Sequence, residues 1–289
     1  MKFALTAPYQ MGPIEDGEYA ASFARLAEEL GFESLWVVEH AVMCVEYESV
    51  YPYDPSGRSP FDAEVAQPDP LIWLTWAAAA TKRIRLATGV LILPQRNPVI
   101  LAKELASLDR LSGGRMMLGM GVGWVQEEAK AVGTSFSDRG RRANEAIEVM
   151  RTLWSDPVAS FEGEYTRFSG VVSKPKPAQA GGVPIIVGGH SRAAARRAGR
   201  QGNGFYPLGV DLDGMVELRG VMEEAAREAD RDPDTIEITM GGMADADLVA
   251  RMEDAGVGRV LLFPTSGDLE VLREQLEPFS RDVISRSAS

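Results

Sequence analysis

Residues 83–124 read RIRLATGVLILPQRNPVILAKELASLDRLSGGRMMLGMGVGW. Residues 84–93 form an apolar run that predicts a strand. Leu101, Leu105 and Leu108 then recur at helical spacing and predict a helix with one buried stripe. Residues 115–118 return to a strand. Strands that are apolar throughout, joined by an amphipathic helix, imply a parallel sheet covered on both sides.

The same alternation extends in both directions. Upstream, strands are predicted at 3–7 and 34–38. Between them Tyr19, Phe23, Leu26 and Leu30 make one apolar helical face, with Gly31 where a C-terminal cap belongs. Residues 40–70 form a polar, aromatic loop without periodicity, a length that is uncommon unless the loop is functional or mobile. Residues 71–81 predict a helix. Downstream, one helix carries Ile147, Met150 and Trp154, and strands at 183–187, 204–207, 236–240 and 259–263 alternate with further helices. These are residues 191–200, the stripe Met215, Leu218, Met222 and Ala225, residues 245–255, and the stripe Leu269, Leu272, Leu276 and Phe279.

Eight strand–helix pairs close most naturally into a (β/α)8 TIM barrel, here with insertions after strands 2 and 4. The rival is an open doubly wound sheet, which needs no particular count of units. A barrel of roughly 250 residues absorbs the 289 of this chain as one domain, 1–284, leaving 285–289 as a tail read as disordered.

Composition narrows the function. Hydrophobic residues make up 45% and charged residues 25%, which excludes disorder for the bulk. Asp and Glu outnumber Lys and Arg 42 to 30, a net charge of −12 that disfavours nucleic acid and anionic membrane surfaces. An anionic ligand then needs a local device such as a helix N-terminus. Cys44 stands alone, excluding an intramolecular disulfide and thiolate clusters; His40 and His190 are too few for a multi-histidine metal site. No metal is expected. The apolar run after Lys2 is broken at Pro8, and the longest apolar stretch, 71–80, is about half a bilayer span, so the chain reads as cytoplasmic.

In such a barrel the chemistry sits at the C-terminal ends of the strands. Gly119, Gly121 and Gly123 sit near one such end, but the dinucleotide fingerprint fails because its third glycine would stand at Trp124. They serve either close approach of a cofactor or simple packing at the rim. Gly188-Gly189 ends a strand and runs through His190 into a helix opened by Ser191, a good N-cap. Free N–H groups and the helix dipole there favour a phosphate, and Arg192, Arg196 and Arg197 follow; the alternative is a solvated basic face. Glu39-His40 is the sharpest polar pair, since histidine exchanges protons near neutral pH; the alternative is a structural histidine. Cys44 has no base in the pattern and is not expected to be a nucleophile.

AEELGF at 27–32, SLWVVEH at 34–40, the run 83–98, the run 102–124, FEGEY at 161–165, KPKPAQ at 174–179 and VPIIVGGHS at 183–191 occur in order along the chain. Together they resemble the bacterial luciferase-like superfamily, in particular its coenzyme F420-dependent branch. The resemblance implies a TIM barrel with a deazaflavin or flavin at the strand mouths. The ring would lie against a third-strand bulge at Thr88, Gly89, Val90 and Leu91, with a non-prolyl cis bond at Gly89–Val90. The phosphate would lie on Gly188, Gly189, His190 and Ser191, helped by Val122 and Gly123, with Glu39 and His40 as the catalytic pair near the ring.

One departure bears on substrate. F420-dependent sugar-phosphate dehydrogenases carry a glutamate right after the GxG segment, where this chain has Trp124. That points to an apolar or aromatic substrate covered by the loop bearing Tyr47, Tyr51, Tyr53 and Phe61. The expectation is an F420-dependent oxidoreductase moving a hydride to or from a small organic molecule. The alternatives are a reduced-FMN-dependent monooxygenase fed by a separate reductase, and a non-catalytic flavin-binding protein. The resemblance also implies a homodimer.

Overall fold

The computed structural model describes residues 1–243 and 245–285. Its strands are β1 (Lys2–Thr6), β2 (Ser34–Val37), β3 (Arg85–Thr88), β4 (Leu91–Ile92), β5 (Met116–Gly121), β6 (Ala159–Glu162), β7 (Arg167–Val171), β8 (Ile185–Gly188), β9 (Gly204–Tyr206), β10 (Glu237–Gly242) and β11 (Arg259–Leu262). Neighbouring strands run in the order β3, β2, β1, β11, β10, β9, β8, β5, all parallel, and β5 pairs back onto β3 through Leu86–Met116 and Ala87–Met117. The sheet is therefore closed: a (β/α)8 barrel rather than an open sheet.

The helices are α1 (Gly17–Glu29), α2 (Pro70–Ala80), α3 (Pro98–Ser112), α4 (Gln126–Ala131), α5 (Arg139–Ser155), α6 (Arg192–Gln201), α7 (Leu212–Arg227), α8 (Ala246–Asp254) and α9 (Leu269–Phe279). Asp16, Asp69, Asn97, Ser191, Asp211, Asp245 and Asp268 each accept a first-turn N–H at a helix start. Part of the acidic excess thus serves as N-caps, each worth about 0.5–2 kcal/mol over alanine. No described helix is long and apolar enough to cross a membrane.

Two apolar layers hold the barrel. The larger lies between strands and helices, and the smaller fills the barrel itself with Ala4, Trp36, Ala87, Met117, Ile186, Tyr206 and Leu261. Trp36 is fully buried and meets Tyr206 edge-on at 5.6 Å. Its indole occupies so much of the interior that a Cβ on Gly89 would lie 2.7 Å from it. At the opposite end from the strand mouths, the 2% exposed side chain of Arg259 is held between Glu33 and Glu237, at 3.1 and 2.5 Å. Two carboxylates compensate that buried cation.

The third strand differs from the continuous run expected over 84–93. It breaks into β3 and β4 at Gly89 and Val90, and the bond between them is cis, as the resemblance implies. The insertions follow β2 and β5, the second and fourth barrel strands. The first, before α2, has no regular element; the second contains α4 and the antiparallel hairpin β6–β7, neither of which the sequence reading anticipated. Of the tail expected to be disordered, Ser285 follows the π-helical turn Ser280–Ile284, and 286–289 lie outside the described residues.

Candidate active site

A cleft of about 810 Å³ opens at the C-terminal ends of the strands. Glu39, His40, Gly89, Val90, Val122, Gly123, Gly188, Gly189, His190 and Ser191 all line it, so folding brings together sequence-predicted residues from four segments. Leu91 does not join them. It is fully buried and paired with Met120, and Ile92 lines the cleft in its place. Side chains alternate along β4, so adjacent residues face opposite ways.

The floor is the bulge. A Cβ on Gly188 would stand 2.6 Å from Cγ1 of Val90, and one on Gly121 would stand 2.6 Å from Cγ2. A Cβ on Gly119, inside β5, would stand 1.9 Å from the carbonyl oxygen of Thr88. These glycines are required by packing around the bulge before any ligand arrives. Gly123 and Gly189 differ: their φ angles of 77° and 127° are ones that glycine adopts without strain.

One end of the cleft is formed by the start of α6 and two arginines. Ser191 Oγ accepts the Ala194 N–H at 3.2 Å to start α6, and Ala193 and Ala194 line the cleft beside Gly189. Of the basic run after it, Arg192 instead pairs with Glu217 at 3.1 Å and Arg196 is exposed; Arg197 alone lines the cleft. Arg139, at the start of α5, joins it. Arg197 donates to Asn144 Oδ1 and the Gly140 carbonyl at 2.6 and 3.1 Å. Arg139 lies over the Phe136 ring at 3.8 Å and donates to the Phe136 carbonyl, while its Nε is buried with no partner. Burial holds both guanidinium groups below their ordinary range, and the Arg139 charge adds to the effect on Arg197. Two desolvated cations facing one cleft, with no carboxylate hydrogen-bonded to either among the described residues, fit an incoming anion.

His40 stands at the other end, held by a carboxylate. His40 Nδ1 lies 3.0 Å from Oε2 of Glu128, whose side chain is 1% exposed. Oε1 of Glu128 accepts the Ala41 N–H at 2.6 Å, so both carboxylate oxygens are engaged. Such a carboxylate accepts from Nδ1–H and leaves Nε2 as the free ring nitrogen. Glu39 has a different setting. It is 5% exposed, accepts the Ile92 N–H and is ion-paired with Arg96, which also reaches Asp69 at 2.6 Å. Burial pushes the Glu39 carboxyl up, opposed by Arg96. Its oxygens tie the end of β2 to β4 directly beyond the bulge.

The first insertion arches over the mouth as an aromatic chain. Trp124 meets His40, Tyr47 and Tyr51 edge-on at 6.2, 5.5 and 5.1 Å. Tyr51 meets Tyr53, and Tyr53 meets His190 at 5.1 Å, joining the two ends of the cleft. Burial pushes the Tyr53 phenol up to about 12. Among the described residues no group of three or more His, Cys, Asp or Glu side chains is placed to hold a metal. Glu128 and Arg139 are the site residues that sequence reasoning missed. The only signals were carboxylates just after Trp124 and a basic run opening α5 in an acidic chain.

Residues 1–257 match the family model of the luciferase-like monooxygenases. A protein of Mycobacterium tuberculosis, itself uncharacterised, is 33% identical over 246 residues, 83% of this chain and 85% of its own length. An F420-dependent glucose-6-phosphate dehydrogenase of Kineococcus radiotolerans is 34% identical over 230 residues, 76% of this chain and 63% of that protein. Among solved structures, a monooxygenase from Streptomyces bottropensis shares the fold with a TM-score of 0.79 at 23% identity, covering 99% of this chain and 100% of that one.

Proposed function

The chain belongs to the luciferase-like monooxygenase family, and on that premise we propose that it is an F420-dependent oxidoreductase transferring a hydride between the deazaflavin and a small organic substrate. The observation that carries this reading is one cleft with an anion cradle at one end and the Glu128-held His40 at the other. The relative from Kineococcus radiotolerans, named as F420-dependent, supports the choice of cofactor.

The donor set fits the group. Arg139 and Arg197, with the first turn of α6, would hold its phosphate; Gly89 and Val90 would back its ring. Bound there, F420 supplies a two-electron carrier that gives or takes a hydride. The protein's own part is binding, orientation and one proton. Glu128 fixes the imidazole through Nδ1, and Nε2 holds or releases the proton that accompanies oxidation or reduction of the substrate. Glu39 acts through Ile92 and Arg96, keeping the bulge in place rather than exchanging protons itself.

A reduced-FMN-dependent monooxygenase served by a reductase is the second reading, because two arginines at a helix start would suit the phosphate of either cofactor and the Streptomyces bottropensis monooxygenase shares the fold. Residues 1–284 form one domain that acts as a homodimer, a reading supported by Ile72 and Trp76, which are 72% and 57% exposed on the largely apolar helix α2. Sedimentation of the purified protein tests the dimer. Titration of the apoprotein with F420 and with FMN tests the cofactor. The expected result is F420 bound at least tenfold more tightly, about 1.4 kcal/mol; equal or reversed preference overturns it.

A further inference from the structure

A second cavity, of about 290 Å³, lies beside the cofactor cleft, and His40, Phe61 and Trp124 line both. Its remaining wall comes from the first insertion, chiefly Val42, Met43, Val45, Tyr47 and Ala63. Val42 and Val45 stand at its edge 44% and 80% exposed, an apolar surface left open to solvent on a loop with no helix or strand. The volume falls just below the roughly 300–1,000 Å³ of pockets that take drug-sized ligands, and so suits a molecule of about one ring.

The charges around it select further. Among the described lining residues Arg58 carries the one full charge; its guanidinium lies 5.0 Å over the Tyr47 ring and donates to the Tyr47 carbonyl at 3.1 Å. Glu127 and Glu128 stand just behind the wall. The Cys44 thiol is pushed up by burial, with both carboxylates adding to the effect. A cationic substrate placed here finds no carboxylate in the lining.

We propose that this cavity is the substrate compartment, taking the apolar body of a single-ring ketone, aldehyde or alcohol while its oxygen reaches His40 on the shared wall. The assignment rests on the oxidoreductase reading for its meaning, but occupancy of the cavity is measurable without cofactor. His40, Phe61 and Trp124 then line both ring-binding cleft and substrate compartment, and Ala63 sets the room available.

The test uses 4-fluoroacetophenone as probe, followed by 19F NMR line broadening on the protein without cofactor. The expected result is saturable binding that cyclohexanone displaces and glucose 6-phosphate does not. Ala63→Trp should weaken it at least tenfold while leaving F420 affinity unchanged, and Met43→Trp should do the same if Ala63→Trp fails to fold. No binding, displacement by the sugar phosphate, or full binding by the folded filled variants overturns the assignment. If F420 fails to bind while the probe still binds and the filled variants lose it, the compartment stands and the cofactor reading falls. If F420 binds tightly and the filled variants keep the probe, the reverse holds.

Discussion

Cγ1 of Val90 lies 2.6 Å from where a Cβ on Gly188 would stand. The glycine at the end of β8 is therefore shaped by a side chain on the third strand, and the bulge is held in a notch between β5 and β8. Gly188→Ala forces Val90 to move. Overpacking of this kind costs about 1–3 kcal/mol, and the displaced bulge should weaken F420 binding as well. Denaturant midpoints and cofactor titration read the two effects. Adding Val90→Ala should restore stability, because it removes the atom in conflict; failure to restore it means that the glycine serves something other than the bulge.

His40→Asn should leave F420 affinity intact and lower turnover by about 10²–10⁴, the usual contribution of a positioned acid–base group. Glu128→Gln should give a smaller loss with the same cofactor affinity. Its amide cannot accept from Nδ1–H and from the Ala41 N–H at once as the carboxylate does. Turnover of Glu128→Gln equal to that of the unaltered enzyme would reduce the pair to a packing contact.

Arg139 is desolvated, and its Nε makes no hydrogen bond. Arg139→Gln should therefore leave thermal stability unchanged or raise it, while F420 affinity falls at least tenfold, about 1.4 kcal/mol. A drop in stability with unchanged affinity would make the arginine a structural prop for Phe136.

The first insertion is pinned by Glu127, whose carboxylate accepts from the Ser49 hydroxyl at 2.6 Å and the Glu48 N–H at 2.7 Å. The Ser49 hydroxyl contributes most to holding this carboxyl down at about 2. A pKa lower in the folded than in the unfolded state gives stabilisation that is complete above the ordinary glutamate value of 4.5 and is lost as pH falls toward about 2. Amide exchange at Glu48 and Ser49 should accelerate across that window beyond its intrinsic pH dependence. Glu127→Gln should flatten the response.

The barrel was legible because its signals are local. The stripe Leu101, Leu105 and Leu108 lies within α3, the apolar run of β8 within a few residues, and Ser191 caps the turn that follows it. Periodicity and capping act over one or two turns of chain, so the sequence displays them directly. Gly188, Gly189 and His40 were findable for the same reason: each ends a strand or follows one within three residues, at the end where this architecture places its site.

What the sequence by itself determined, then, is the alternation of elements, the end of the barrel that carries the chemistry, and the residues at the strand ends. Tertiary structure alone decided their partners. Glu128 reaches His40 across 88 residues, Arg96 reaches Glu39 across 57, and Arg139 and Arg197 line one cleft from two different helices. It also decided that Leu91 points away from the cleft and that Gly188 yields to Val90. These pairings follow from closure of the sheet, which fixes strand order and register through hydrogen bonds between distant segments. No local period encodes which side chain stands opposite another once a barrel has closed.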